Sequence, residues 1–355
     1  MKKRLALVVT AFAVLGAAAC GGDDDDATGG AAETADTADT ADTADTGGDA
    51  TAPTGGGDDG GGDAGGEKAP ISLIVNPWSA SRLNVEVAKH IIENELGNPV
   101  EIVEVDENDA MFTGMADGSL DAVLEIWPSG VTEVETAYFD AGTVANIGEL
   151  GVVGKIGWFV PSYVIDEHPE LATWEGYQSE ETAALFATAE TGSLGRFLGT
   201  DPSYSQYDEQ IIENLELPFQ VQFSGSEPAT VAELDARFAA NEPILMYWWT
   251  PTAAVGKYDL VNVLLPESTP ECEASRAAED GGVDCDYPED PIFKAASAQL
   301  ETKDPAVWTF LNNFTLTNDD QLSMLPAFEI DGEDPADVAA EWVAANEDTW
   351  RAWLP

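Results

Sequence analysis

From Ile71 onward, short apolar runs alternate with stretches of helical period. ISLIVNP (71–77) reads as a strand. RLNVEVAKHIIENELG (82–97) reads as an amphipathic helix, with Leu83, Val87, Ile91 and Leu96 near one face and Gly97 as its stop. VEIVEV (100–105) is a second strand, MFTGMADG (111–118) a short helix, and LDAVLEIW (120–127) a third strand ending on an indole. Strands alternating with helices of this length predict an α/β lobe around a mostly parallel sheet.

A second set of similar size follows KIGWFVPSYV (155–164). It holds helices around ETAALFATA, SQYDEQIIENLEL and PATVAELDARFAANE, and strands FQVQFS and PILMYWW; TGSLGRFLG (191–199) reads as a glycine-rich loop. YDLVNVLLPE (258–267) is expected to carry the chain back, and PAVWTFLNNF and DPADVAAEWVAANEDTWRAWL supply closing helices. The expected architecture is two α/β lobes, with 71–158 and 261–355 in lobe 1, 159–260 in lobe 2, and hinge positions near Trp158 and Leu260. Ligand sites in such an arrangement lie at the carboxyl ends of strands.

Upstream of Ile71 the composition changes. Met1-Lys2-Lys3-Arg4 followed by LALVVTAFAVLGAAA has the charged and apolar regions of a signal peptide spanning residues 1–19, too short to cross a bilayer. LGAAAC resembles a bacterial lipobox, which implies diacylation of Cys20; ordinary cleavage after Ala19 is the alternative. Residues 20–70, with TAD repeats and runs of Gly and Asp, have too little apolar surface to offset ordering entropy and are expected to form an acidic tether. The expected location is therefore the outer face of the cell membrane.

Charge narrows the partners. The chain of 355 residues carries 67 acidic against 14 basic side chains, a formal charge of −53. Nucleic acid and anionic substrates are poor partners for such a surface, whereas a cationic ligand is attracted. High acidity is equally a solubility or high-salt device, so charge alone names no function. Cys272 and Cys285, in a polar stretch, are expected to pair and staple a loop in an oxidising exterior.

Enzyme constellations are sparse. His90 falls mid-helix and His168 in a turn, away from strand ends where a general base would be presented, and no GxSxG, HExxH or P-loop occurs. No catalytic residue, metal site or cofactor is expected.

Indole placement is the informative feature. Trp78 follows ISLIVNP, Trp127 follows LDAVLEI, and Trp249 follows PILMYW, each at a strand's carboxyl end. Three rings at three strand tips can converge on one crevice, with Tyr163 as a fourth wall. Such a box suits a quaternary ammonium, which has no N–H to donate and is weakly hydrated, so the negative ring faces replace its water cheaply. At about 0.5 to 2 kcal/mol per ring, three or four rings approach what micromolar binding needs. Trp248, alternating with Trp249, is expected to face the other side of its strand.

NPW at 76, ADGSLDAVLEIWP at 116, GWFVPSYV at 157 and ELDARFAANEPILMYWWTP together resemble the substrate-binding proteins of ABC transporters for glycine betaine, proline betaine and choline, over nearly all of residues 71–355. The resemblance implies a two-lobed periplasmic-binding-protein fold of type II, a hinge, an interlobe ligand cleft, a monomer, and delivery of ligand to a permease driven by an ATPase on other chains. It assigns Trp127 and Trp249 to the aromatic cage most directly, and Trp78 less so. Where some betaine binders carry a His after the Trp-x-Pro turn to grip the ligand carboxylate, this chain has Thr252; where choline binders carry an Asp after the first Trp, it has Ser79-Ala80-Ser81. Donors at Ser79, Ala80, Ser193 or Thr252 are candidate replacements, and Glu125 is either an added charge or a satisfied polar residue. Two other functions stay open: a surface enzyme acting on choline-containing substrates, and a receptor of the same fold for another osmolyte or amino acid such as ectoine or proline.

Overall fold

The computed structural model describes residues 68–355; the expected leader, Cys20 and nearly all of the tether lie outside them. Nine strands form one sheet in the order β2-β1-β3-β9-β4-β7-β5-β6, with β8 beside β4. They are β1 (Ile71–Val75), β2 (Val100–Glu104), β3 (Ala122–Ile126), β4 (Val144–Pro161), β5 (Gly195–Gly199), β6 (Phe219–Phe223), β7 (Met246–Thr250), β8 (Leu260–Val263) and β9 (Glu289–Ser297).

The sheet has two parallel ends joined by an antiparallel middle. β1 pairs in parallel with β2 and β3, and β5 pairs in parallel with β6 and β7. Between them, β4 and β9 run antiparallel to each other, from Val144↔Ser297 to Lys155↔Glu289, and each reaches into one end: β9 pairs β3, and β4 pairs β7 and β8. These two strands are the crossings between the halves.

Each half buries apolar faces on its own helices. In the first, helix Ser79–Ile91 buries Leu83, Val87, Ala88 and Ile91 and packs on helices Asn318–Glu329 and Pro335–Ala345. Met111, Phe112 and Met115, from helix Asp109–Asp117, cover the other sheet face with Ile74, Val123 and Ile126. Gly97 ends the first helical segment in the left-handed conformation, where glycine carries no Cβ penalty. The second half centres on the fully buried Trp158, Tyr177, Phe197 and Trp248.

Two elements differ from expectation. Gly195–Gly199 is strand β5, because its backbone pairs with both β6 and β7 even though two glycines and Arg196 leave no hydrophobic alternation. Residues 260–288 stay with the second half: β8 pairs β4 at Pro161↔Leu260, and Asn214 Nδ2 donates to the carbonyls of Gly281 and Val283 at 3.0 and 2.9 Å. We therefore place the return crossing in β9, some thirty residues later than Leu260. Within this segment Cys272 and Cys285 form a disulfide.

Candidate functional site

The parallel strands of both halves point their carboxyl ends at the same crevice, so the residue that leaves each strand faces the other half. From the first half come Trp78 after β1, Glu107 after β2 and Trp127 after β3. From the second come Ser203, Tyr204 and Ser205 after β5, and Tyr247 and Trp249 on β7, with Ile156 of the crossing strand β4 as the floor. They enclose about 390 Å³ of free space, solvent at its mouth included. Trp78, Trp127 and Trp249 are only 9, 6 and 4 % exposed, so the halves are closed over the cavity.

The rings are held by a polar frame behind them. The indole N–H groups of Trp78 and Trp127 both donate to Glu125 Oε1, at 2.7 and 3.1 Å. Asn84 Nδ2 donates to Glu125 Oε2 at 2.6 Å, and Gln321 Nε2 donates to Asn84 Oδ1 at 3.1 Å. Glu125 is thus the shared acceptor that orients two of the rings lining the cavity. Burial raises its pKa to about 7, against the lowering effect of those indole N–H groups.

On the other side, Tyr204 stands edge-on to Trp78 (centroids 5.5 Å, 87°) and to Trp249 (5.7 Å, 81°), an arrangement the ring quadrupoles favour. Its hydroxyl donates to the Pro77 carbonyl at 2.7 Å, which ties a second-half loop to the first half. Trp249 is backed by Trp248, stacked at 4.5 Å and 27°. The two indoles do not diverge as strand alternation alone predicts: the Trp248 N–H donates to Thr252 Oγ1 at 2.8 Å, beyond the turn, and its ring lies against its neighbour.

Glu107 is the polar wall. Its Oε1 accepts the Trp127 backbone N–H at 3.1 Å. Burial first, and then the charges of Glu125, Asp290 and Glu135, push its carboxyl well above the usual carboxylate range. Among the described residues, no Lys, Arg or His lines the cavity.

The expected site residues divide sharply. Trp78, Trp127 and Trp249 meet around one cavity. Tyr163 does not line it; its hydroxyl donates to the Glu242 carbonyl at 2.8 Å and its ring lies against Phe238. The reason is strand direction: β4 is antiparallel to β7, so its carboxyl end leads away from the crevice. Ser193 precedes β5, at the end of that strand remote from Tyr204, and lines a separate cavity with Glu180, Leu194 and Pro218. Ser79 has both its N–H and its hydroxyl donated to Glu227, Ala80 is buried in the first helical turn without lining the cavity, and Thr252 is engaged by Trp248. Glu107, Tyr204, Tyr247 and the two serines were not singled out by sequence, although Glu107 and Tyr204 obey the same strand-end rule as the tryptophans.

Residues 69–345 match the family described as the substrate binding domain of ABC-type glycine betaine transport systems. The chain belongs to that family. It is an extracytoplasmic, membrane-associated solute-binding protein that takes up a quaternary amine osmolyte and delivers it to an ABC permease. Family members bind solutes and are not enzymes, which sets aside an enzyme for choline-containing substrates. A trimethylamine N-oxide-binding protein of Pelagibacter ubique is 26 % identical over 295 residues, covering 81 % of this chain and 91 % of that protein. The glycine betaine, L-proline-binding protein of Borrelia burgdorferi superposes with a TM-score of 0.64 at 19 % identity, covering 81 % of this chain and 97 % of the other. A lactococcal binding protein, crystallised closed with glycine betaine, gives 0.62 at 17 % identity, covering 81 % and 100 %. These structural likenesses show the fold, the two-lobed type II periplasmic-binding-protein architecture.

Proposed function

We propose that the cavity between the two halves is the ligand site, and that its preferred ligand is a trimethylated amine without a carboxylate, trimethylamine N-oxide before choline. Trp78, Trp127 and Trp249, with Tyr204 and Tyr247, surround the methylated nitrogen with ring faces and edges, and each ring is worth about 0.5 to 2 kcal/mol. The observation that carries the choice of ligand is the polar wall. A betaine carboxylate entering this cavity meets Glu107 and no cation, and the donors expected to replace a histidine are either engaged or elsewhere. A carboxyl pushed above the usual carboxylate range offers, once protonated, an O–H to the strongly accepting oxygen of an N-oxide. Ser203 and Ser205 add hydroxyls on the same cavity. The 26 % identical relative supports this reading, since it is described as binding trimethylamine N-oxide.

Choline remains the second reading because an ionised Glu107 accepts its hydroxyl. Calorimetric titration with trimethylamine N-oxide, choline, glycine betaine, proline and ectoine decides between them. Tightest binding of glycine betaine overturns the specificity, and wild-type affinity in both Trp127→Ala and Trp249→Ala overturns the site.

The protein is further proposed to be held at the outer face of the membrane by diacylated Cys20, with residues 20–70 as the tether, and to act as a monomer serving a permease and an ATPase on other chains. Metabolic labelling with a radioactive fatty acid in the native host, lost in Cys20→Ala, tests the anchor.

A further inference from the structure

Away from the cavity wall, two glutamates, Glu227 buried and Glu329 half-buried, are exchanged between the halves. Glu227 opens helix Glu227–Ala240 in the second half and is 5 % exposed. It does not pair within its own half: its Oε2 accepts the Ser79 backbone N–H at 3.0 Å and its Oε1 the Ser79 hydroxyl at 2.9 Å, both at the start of first-half helix Ser79–Ile91. The reverse contact uses Glu329, the last residue of first-half helix Asn318–Glu329, whose Oε2 accepts the Ala253 backbone N–H at 2.9 Å just beyond β7. Ser79 directly follows Trp78, and Ala253 lies four residues after Trp249.

We infer that Glu227 and Glu329 are positioning residues for ligand capture: a reciprocal clasp, each half offering one carboxyl to unpaired backbone donors of the other beside a cage tryptophan, formed only when the halves close. The inference rests on the reading of the interlobe cavity as the ligand site. The donors they satisfy, N–H groups at the start of a helical turn, have no intrahelical partner, so opening exchanges these bonds for water. Among the described residues, no cation answers either carboxyl. Glu227 faces Glu125 of β3, Glu329 and the Tyr204 phenol, and Glu329 faces Glu227. One oxygen of Glu329, Oε1, is buried without a partner, as a carboxyl carrying a proton can tolerate better than a carboxylate.

The clasp therefore holds protons. Burial raises Glu227 to about 7, and burial with the Glu227 charge raises Glu329 to about 8, whereas solvated carboxyls titrate near 4.5. The closed form binds more protons than the open form between those values, so closure takes up protons and ligand affinity falls as pH rises from about 5 to about 8.

The test uses the purified binding protein with trimethylamine N-oxide and choline as probes, read by calorimetry across pH 5 to 9, and small-angle scattering of the unliganded protein. Glu227→Ala and Glu329→Ala are expected to weaken binding on the order of ten- to a hundredfold and to expand the unliganded protein. Glu227→Gln and Glu329→Gln, which mimic the protonated group, are expected to keep the affinity seen at low pH and flatten its fall. Alanine variants that bind within twofold of wild type with an unchanged scattering profile overturn the clasp. So does a wild-type affinity that is constant from pH 5 to 9. Failure of the wild-type protein to bind any methylated amine overturns the reading of the cavity instead, and the scattering comparison still judges the clasp without ligand.

Discussion

The six-membered ring of Trp127 lies against the bare Cα of Gly154: a methyl group built there falls 2.4 Å from a ring carbon. Gly154 belongs to the crossing strand β4, where its backbone pairs with Asp290. Its lack of a side chain leaves the space into which the indole folds. Gly154→Ala is expected to displace the ring and weaken ligand binding at least tenfold. Because β4 stays paired, the melting temperature should change little. Calorimetry and near-ultraviolet circular dichroism check both halves of the statement; unchanged affinity and an unchanged aromatic spectrum contradict it.

Glu125 is the next test, since two indole N–H groups depend on one of its oxygens. Glu125→Ala leaves them buried without an acceptor, at a cost of about 1 to 3 kcal/mol for each, and frees both rings to rotate. A lower melting temperature and loss of binding are expected together. Glu125→Gln should be far milder. Gln321 Oε1 is buried and unpartnered, so flipping the amides of Asn84 and Gln321 lets the chain of bonds reverse direction. A crystal structure of that variant with both amides unflipped contradicts the relay.

Stability should depend on pH in a definite sense. Burial raises Glu125, Asp208 and Glu227 to about 7 and Glu329 to about 8, so the folded chain holds protons that the unfolded chain releases above 3.8 for the aspartate and 4.5 for the glutamates. Their contribution is fully present below the unfolded value and is lost as pH rises through 7 to 8. The melting temperature is expected to be highest near pH 5 and to fall by pH 8.5, with a shallower fall in the double variant Glu227→Gln, Glu329→Gln. A flat profile from pH 5 to 8.5 contradicts the protonated state of these groups.

The disulfide offers a separate measurement. It closes a loop between positions 272 and 285 that also carries Arg276, whose guanidinium lies over the rings of Tyr207 and Tyr287 at 4.6 and 4.9 Å. Replacing both cysteines by serine is expected to cost about 3 kcal/mol in chemical denaturation, from restored unfolded-chain entropy. Ligand affinity should survive, because neither cysteine lines the cavity.

How much of this was legible in sequence depends on what each residue type stands out against. Three tryptophans at strand ends were readable because the apolar runs before them were unmistakable and parallel strands deliver their carboxyl ends to one crevice. Tyr163 also follows an apolar run, but the sequence does not reveal that β4 runs against β7. Tyr204 was hidden because β5 has no alternating pattern; once GRFLG is taken for a loop, nothing marks SYS as a strand's end. Glu107 and Glu227 are invisible for a different reason: among 67 acidic side chains, a carboxylate carries no signal until its place in the fold is known. We place the return crossing in β9 and not near Leu260, because the backbone of YDLVNVLLPE, apolar enough to start a new half, pairs with the end of β4.

The paired crossings set how the molecule can open. β4 and β9 make a two-stranded belt whose ladder resists sliding and stretching, while such belts twist readily. Swinging about that belt is expected to separate the tips that carry the indoles while keeping its rungs paired. A cycle of loading and release about this belt is therefore expected to keep the main-chain pairing of β4 with β9 and to break and re-form side-chain contacts instead.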